Sequence, residues 1–353
     1  MATYKEAGVD RDLGDLCSEI AYAEAKKTFE SRKGMIGAPL KMEGSFTGAL
    51  DMGSFLLVQN EDGVGTKIDV AERINKYTTL GYDLVAMVAD DAICVGAEAI
   101  SITNTIDTDC LAAKIIKDLM TGLGRACREQ KIVIPGGEIA ELKGHVRGYT
   151  WNATAVGIVE KNKFIQGEGI VPGDSVIGLV SPNFRSNGFT LVRSILKKAY
   201  GDEWHNKIFK GRRWGEIVLE PSVIYHAGVL SLIGRFGEKP KTRVKGIAHI
   251  TGGGLPGNAP RMFGKKKFGL LFDALPPVPT SMAELQRLGN VPNREIYETW
   301  NMGVGMVLVA EDSEKALSLL KRAGLKASVI GKVTRELGVK IHTPSGEVLS
   351  YNY

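Results

Sequence analysis

The stretch Asp62-Gly-Val-Gly-Thr-Lys67 sets a carboxylate and an ammonium at opposite ends of a short, flexible loop. A carboxylate there can hold Mg2+, a hard cation that prefers oxygen ligands and phosphate oxygens. The ammonium can neutralise phosphate charge as it moves in a phosphoryl transfer. Five more glycine-rich stretches recur along the chain: Gly44-Ser45-Phe46-Thr47-Gly48, Gly136-Gly137-Glu138, Ser186-Asn187-Gly188, Thr251-Gly252-Gly253-Gly254 and Asn301-Met302-Gly303-Val304-Gly305. Glycine lets the backbone come close to a ligand and aim N–H groups at phosphate oxygens. Each stretch alone reads more readily as a tight turn, but together they point to a phosphorylated ligand.

Asp90-Asp91 falls towards the end of a helical stretch, and Glu138 and Glu141 follow a strand. Adjacent acids on a helix do not share a face, so one of Asp90 and Asp91 is expected to be solvated or capping. Asp62, Asp91 and Glu138 form the constellation expected to hold a metal and a nucleotide. His249 precedes the triple-glycine loop and is kept as a catalytic candidate beside Asp62 and Lys67, although a lone histidine is more often a packed one. His145, His205, His226 and His342 receive no role, and no Ser/His/Asp or Cys/His arrangement follows from spacing. There is no G-x-x-x-x-G-K-[ST] P-loop. Gly252, Gly254 and Gly257 spell G-x-G-x-x-G, but Pro256 lies inside it, which argues against a dinucleotide site.

The elements that must position these loops are mixed. Residues 54–61 read as a strand running into the Asp62 loop, and Leu80, Leu84, Met87, Val88 and Val95 recur at helical spacing. Leu111, Ile115, Leu119 and Leu123 mark an amphipathic helix over 111–130. The run Ile132-Val133-Ile134 reads as a strand stopped by Pro135-Gly136-Gly137, and 151–160 alternates like a strand. Turn-rich Gly167 to Asp174 is the expected boundary between domains 1–168 and 169–353. Beyond it, strand 176–180, helix 189–200, a helix near 223–233 and strands near Ile247, Leu270, 304–309 and Val329 continue the mixture, so both halves are α+β or mixed α/β.

Composition bounds the rest. The chain has 353 residues, 44% hydrophobic and 24% charged, which excludes wholesale disorder. The net charge of +5 is modest, and the clusters Lys265–Lys267 and Lys239–Lys245 read as solvated loops, so no nucleic-acid partner is expected. No apolar run reaches membrane-spanning length and the start lacks a signal-peptide core, so no membrane partner and a cytoplasmic location are expected. Cys17, Cys94, Cys110 and Cys127 contain no C-x-x-C pair and read as reduced, mostly buried thiols.

At these loops the sequence resembles aminoimidazole ribonucleotide synthetase, the phosphoribosylformylglycinamidine cyclo-ligase family. The motifs that carry the resemblance are Tyr4–Asp10, Asp62–Lys67, Gly136-Gly-Glu-Ile-Ala-Glu141, Ser186-Asn-Gly-Phe-Thr-Leu-Val-Arg193, Ala248–Pro256 and Asn301–Met306. They come in family order and span nearly the whole chain. The resemblance implies an N-terminal domain whose sheet joins a second copy's in a homodimer barrel, followed by a C-terminal α/β sandwich. It implies ATP and Mg2+, and closure of formylglycinamidine ribonucleotide to aminoimidazole ribonucleotide. Carried over residue by residue, it assigns Gly44, Ser45, Phe46, Gly48, Gly63, Gly65, Thr66, Gly137 and Glu138 to the nucleotide. Ser186, Asn187, Gly188, Thr251, Gly252, Gly253 and Asn301 go to the phosphoribosyl substrate, and Asp62, Asp91 and Glu138 to metal. Four positions depart from the family pattern: Asp90 for Asn, Asn104 for an acid, Lys143 for Pro, and Thr150 for Asp. They leave open a paralogue acting on another phosphorylated small molecule, or a nucleotide-binding regulator.

Overall fold

The computed structural model describes residue 4 and residues 7–42, 44–264 and 266–352. Lys5 and Glu6 of the opening motif and Lys265 of the basic cluster lie outside the described residues. Helix α1 (Arg11–Lys27) starts at Asp10, whose carboxylate accepts the Leu13 amide as an N-cap. Strands β1 (Ala38–Pro39) and β2 (Gly48–Asp51) lead to β3 (Phe55–Gly63). Helices α2 (Ile68–Ile74) and α3 (Leu80–Ile93), strand β4 (Glu98–Thr108), helix α4 (Ala113–Gln130), and strands β5 (Gly137–Glu141) and β6 (Tyr149–Glu160) complete the first half. Its sheet runs β1-β2-β3-β6-β4-β5, antiparallel except where β5 lies parallel to β4.

The second half contains β7 (Ser175–Val180), α5 (Phe189–Tyr200), β8 (Ile208–Phe209), β9 (Arg212–Arg213), α6 (Trp214–Val218) and α7 (His226–Ile233). β10 (Val244–His249), α8 (Gly254–Asn258), β11 (Gly269–Phe272), α9 (Thr280–Gly289) and α10 (Asn293–Thr299) follow. β12 (Val304–Ala310), α11 (Ser313–Arg322), β13 (Ala327–Thr334), β14 (Gly338–His342) and β15 (Val348–Tyr351) close it. The sheet order is β10-β12-β7-β13-β11-β14-β15. Helices α7 and α11 pack together, with α11 lying on β7, β12 and β13. The fold is thus mixed α+β in both halves, as the interleaved periodicities imply.

Helix α3 holds the halves together. Leu80, Leu84, Val85, Val88 and Ala92 are all buried, and so are Asp83, Asp90 and Asp91, so the helix is buried on nearly every side. It packs on α4, β3 and β6 of its own half and on α7 and β10 of the other. Each large apolar side chain removed from water contributes roughly 1.5–3 kcal/mol, which fixes α3 firmly between the two sheets. Whatever α3 carries at its C-terminal end is therefore placed with precision.

Two local expectations differ from the structure. Ile132–Ile134 is no strand: Val133 makes only an isolated bridge to Ser101 and is 63% exposed, while β5 begins at the glycine pair read as a stop. β5 is a mostly exposed edge strand, so it carries no strong apolar signal. Cys94 and Cys127 are buried, but Cys17 and Cys110 are exposed, so the thiols are free and only half are buried. No helix among the described residues is long and apolar enough to cross a membrane.

Candidate active site between the two sheets

Side chains alternate along β3, so Asp62 falls on the same face as Leu56, Val58 and Asn60. That face looks at α3, where the Asn60 amide donates to the Val88 carbonyl at 3.0 Å. Asp91 sits one turn on from Val88. Burial raises both carboxyls to about 7, and the nearby Asp91 charge adds to the push on Asp62. Two carboxylates withdrawn from water beside one another form an oxygen donor set that suits Mg2+. Glu138 does not join them. It is exposed on edge strand β5, and among the described residues no three His, Cys, Asp or Glu side chains gather as metal ligands. Of the three residues expected to hold a metal, the structure brings Asp62 and Asp91 near each other and leaves Glu138 on the exposed edge strand.

Asp90 and Asp91 are both buried, so of the expected alternatives, solvated or capping, it is capping that the structure shows, at Asp90. The reason is that α3 has no solvent face to offer. Asp90 Oδ1 accepts the Tyr225 and His226 amides at 2.9 Å each, capping α7 from another element. Its Oδ2 pairs with Arg185 Nη2 at 2.7 Å, with both side chains fully buried. Arg185 also donates to the Val223 carbonyl at 2.7 Å and contacts His249 Nε2 at 2.9 Å. His249 Nδ1 lies 2.8 Å from Asp91 Oδ1. Burial first, and then the Arg185 charge, lower the His249 pKa to about 3, so the ring is neutral. With both nitrogens engaged and no exposed surface, His249 positions Asp91 and is not itself open to a substrate.

Lys67 is likewise committed. Its ammonium bonds Asp83 Oδ1 at 2.7 Å, the Arg185 carbonyl at 2.9 Å and the Glu220 carbonyl at 2.7 Å, which uses all three donors. Asp83 also accepts the Ser222 amide and hydroxyl. The expectation of a lysine facing phosphate differs from this geometry: the short helical turn after Gly65 swings residue 67 inward, while Gly65 and Thr66 stay exposed. Gly63 remains close-packed, because a Cβ there would strike the Asn152 side chain and the Trp151 carbonyl.

The substrate-side loops converge. Ser186 Oγ and Asn187 Oδ1 are buried atoms without a hydrogen-bond partner, and Asn187 Nδ2 lies beside Gly252. Orphaned acceptors and donors of this kind fit a polar ligand. Gly188 and Gly253 both adopt positive φ, at 72° and 94°. Asn301 serves the fold: its amide donates to the Asn183 carbonyl at 2.9 Å and its oxygen accepts the Gly303 amide at 2.9 Å. Gly44, Ser45 and Phe46 rest against Arg261, whose Nε donates to the Gly44 carbonyl at 2.9 Å. Gly48 opens β2, and Gly137 opens β5 against the Asn104 backbone. Sequence reasoning missed Arg185, Asn258 and Arg261. Their signal was faint: Arg185 directly precedes the Ser-Asn-Gly loop, and the other two follow the triple glycine within a turn or two.

Two of the departures, Asn104 and Thr150, fall on neighbouring strands but on opposite faces of the sheet. Trp151 Nε1 donates to Asn104 Oδ1 at 2.9 Å, both side chains being buried between β4 and β6. The amide at 104 thus has an indole partner in place of a role for a carboxylate. Thr150 is exposed on the opposite face, across from Asp107.

Comparison with known proteins agrees with this architecture. The models for the N-terminal and C-terminal domains of AIR synthase related proteins match residues 47–159 and 171–343. A phosphoribosylformylglycinamidine cyclo-ligase of Thermococcus kodakarensis is 38% identical over 343 residues, covering 97% of this chain and 98% of the relative. One from Methanococcus maripaludis is 34% identical over 355 residues, covering 100% and 98%. Among solved structures, AaThiL complexed with AMPPCP and TMP superposes with a TM-score of 0.62 at 16% identity, covering 94% of this chain and 96% of that one. T. maritima PurL complexed with ADP gives 0.55 at 14% identity, covering 89% and 46%. These structural likenesses establish the fold. With sequence matches through both halves, the chain belongs to the AIR synthase related family and, within it, to the phosphoribosylformylglycinamidine cyclo-ligases.

Proposed function

We propose that this chain closes the imidazole ring of 5-aminoimidazole ribonucleotide from formylglycinamidine ribonucleotide, consuming ATP and releasing ADP and phosphate. The observation that carries the reading is the end-to-end identity with cyclo-ligases, 38% over 97% of the chain. The site fits the chemistry. Transfer of the γ-phosphoryl group to the formyl oxygen turns a poor leaving group into phosphate. A neighbouring nitrogen then attacks the same carbon, and phosphate departs with the oxygen.

Such a reaction needs alignment and charge neutralisation more than acid–base work. Asp62 and Asp91 are the residues that would hold Mg2+, which when bound neutralises charge on the phosphates. His249 and Arg185 keep Asp91 in one orientation. Ser186 Oγ and Asn187 Oδ1 are unpartnered, and the Asn187 amide nitrogen lies beside Gly252, so this pair is available to the ribose or phosphate of the substrate. The loop at Gly44–Gly48 is assigned to the nucleotide, with Gly63, Gly65 and Thr66.

The same reading includes a homodimer formed through the N-terminal half. Leu13, Leu16 and Ile20 form an exposed stripe along α1, and Ile139 on β5 is 46% exposed. An amphipathic face left open in this way calls for a partner surface.

The test is an assay with Mg-ATP and formylglycinamidine ribonucleotide that follows aminoimidazole ribonucleotide and ADP together. Equal formation of both is expected. ATP binding without either product, in dimeric protein, would overturn the reading and favour a regulator.

A further inference from the structure

Arg261 is gripped on four sides. Nε donates to the Gly44 carbonyl at 2.9 Å, Nη2 to the Ser45 carbonyl at 2.9 Å and Nη1 to Asn258 Oδ1 at 3.2 Å. The guanidinium carbon lies 3.5 Å from the Phe46 ring centroid, a stacked cation–π contact. Asn258 in turn spends its amide on the Gly252 and Gly254 carbonyls, at 2.9 and 3.0 Å, and on the more distant Thr251 carbonyl. Pulling these carbonyls inward fixes the fold of the triple-glycine loop from behind. One continuous set of contacts therefore links loop 44–48 of the first half to loop 251–254 of the second. Ser45, Phe46 and Arg261 also form one wall of a cavity of about 540 Å³, which Val95, Ile165 and Ile247 line as well.

We propose that Arg261 and Asn258 are positioning residues, a strap through which a ligand on one glycine loop is felt by the other. The contacts to Gly44 and Ser45 are to backbone carbonyls, so they set the course of the loop whatever its side chains do. A planar fork is needed to reach two successive carbonyls and Asn258 at once, which a lysine point charge does not provide. The inference rests on the reading that these loops hold nucleotide and phosphoribosyl substrate. In that reading the strap makes their binding mutually supportive, and linkage requires the effect to be reciprocal.

Backbone hydrogen exchange in wild type, Arg261→Ala and Arg261→Lys tests the strap without any turnover. Arg261→Ala is expected to raise exchange over 44–48 and 251–254 about tenfold, with β4 and β6 unchanged, and Arg261→Lys to recover only part of the protection. In steady state the alanine variant should show KM for both substrates raised about tenfold with kcat changed less. Saturating ATP should no longer lower KM for the ribonucleotide. Unchanged exchange at 44–48, or an increase spread equally over β4 and β6, would overturn the proposal. Should Arg261→Ala not fold, Phe46→Leu and Arg261→Lys are read by the same criteria. Wild type that turns over no formylglycinamidine ribonucleotide would sink the functional reading alone, because exchange still decides the strap.

Discussion

Arg185 Nη2 meets His249 Nε2 at 2.9 Å, and this contact settles where the imidazole proton sits. A guanidinium only donates, so Nε2 must be the acceptor and Nδ1 must carry the hydrogen, facing Asp91 Oδ1 at 2.8 Å. The fold thus delivers an oriented carboxylate by way of three residues from three elements: Asp90 on α3, Arg185 before α5 and His249 at the end of β10.

It follows that His249 should not appear in the pH–rate profile. Its pKa is pushed down to about 3, mainly by burial, so it stays neutral across the working range. His249→Asn is expected to lower kcat by about 10- to 100-fold, as loss of an orienting partner does, while leaving the limbs of the profile where they are in wild type. A limb near 6.5 that vanishes in the variant would contradict the positioning role.

Asp90→Asn restores the residue usual in the family, yet it should harm this chain. Arg185 would keep its charge in a buried site without its counter-ion, a loss of about 3 kcal/mol. Chemical denaturation measures it. The double variant Asp90→Asn/Arg185→Gln should be more stable than the two single losses added together, because the stranded charge is then gone. Strict additivity would show that the pair is not coupled.

The carboxyls at 62 and 91 predict a pH slope with a definite sign. Both titrate near 7 in the folded chain, against about 3.9 when unfolded. The native state then binds more protons than the unfolded one between those values, so stability falls as pH rises through the window, by up to about 1.4 kcal/mol per unit for each group. Asp62 is partly exposed and contributes the smaller share, and the two titrate as a coupled pair. Without divalent cation, the melting temperature should fall from pH 5 to pH 8. Mg2+ should raise it more at pH 8 than at pH 5, and Asp62→Asn should flatten the slope. A melting temperature that rises with pH in metal-free buffer would refute the assignment.

The contrast between β3 and β5 shows how much the sequence could reveal. β3 opens on the apolar run Phe55–Val58, and α5 has a clean apolar stripe, so both were legible. β5 is exposed on nearly every residue and has no such pattern. The glycine loops were legible as a set because backbone approach demands glycine locally. Arg185 and Arg261 were not, because each is defined by partners far along the chain, such as Asp90 and Gly44. The same long-range pairing explains Lys67. Its loop motif marks where the lysine begins, while Asp83 and two distant carbonyls determine where its ammonium ends.

Lys67→Met should therefore unfold the protein more readily, where the loop motif alone predicts an intact fold with a lost phosphate contact. Removing the ammonium strands Asp83 in a fully buried site, with an expected loss of about 3–5 kcal/mol. Denaturant midpoints for Lys67→Met and for Lys67→Met/Asp83→Asn measure it, the second variant regaining part of the loss. A single variant with wild-type stability and absent activity would return Lys67 to the chemistry.

Gly254 and Gly257 make a paired test of the loop geometry. Gly254 has φ of 58°, and a Cβ there would overlap the Tyr297 carbonyl, with the Trp300 carbonyl 3.1 Å away. Gly254→Ala therefore combines left-handed strain with a backbone clash, and should cost about 2–4 kcal/mol or displace α10. Gly257 lies in α8 with nothing within 4 Å of its Cβ position. Gly257→Ala should be neutral or stabilise by about 0.5 kcal/mol, since alanine favours helix. Thermal melts of the two variants compare positions three residues apart in one loop-to-helix turn. Equal loss from both would mean that the turn tolerates no side chain anywhere, and that the Tyr297 carbonyl is not what reserves position 254 for glycine.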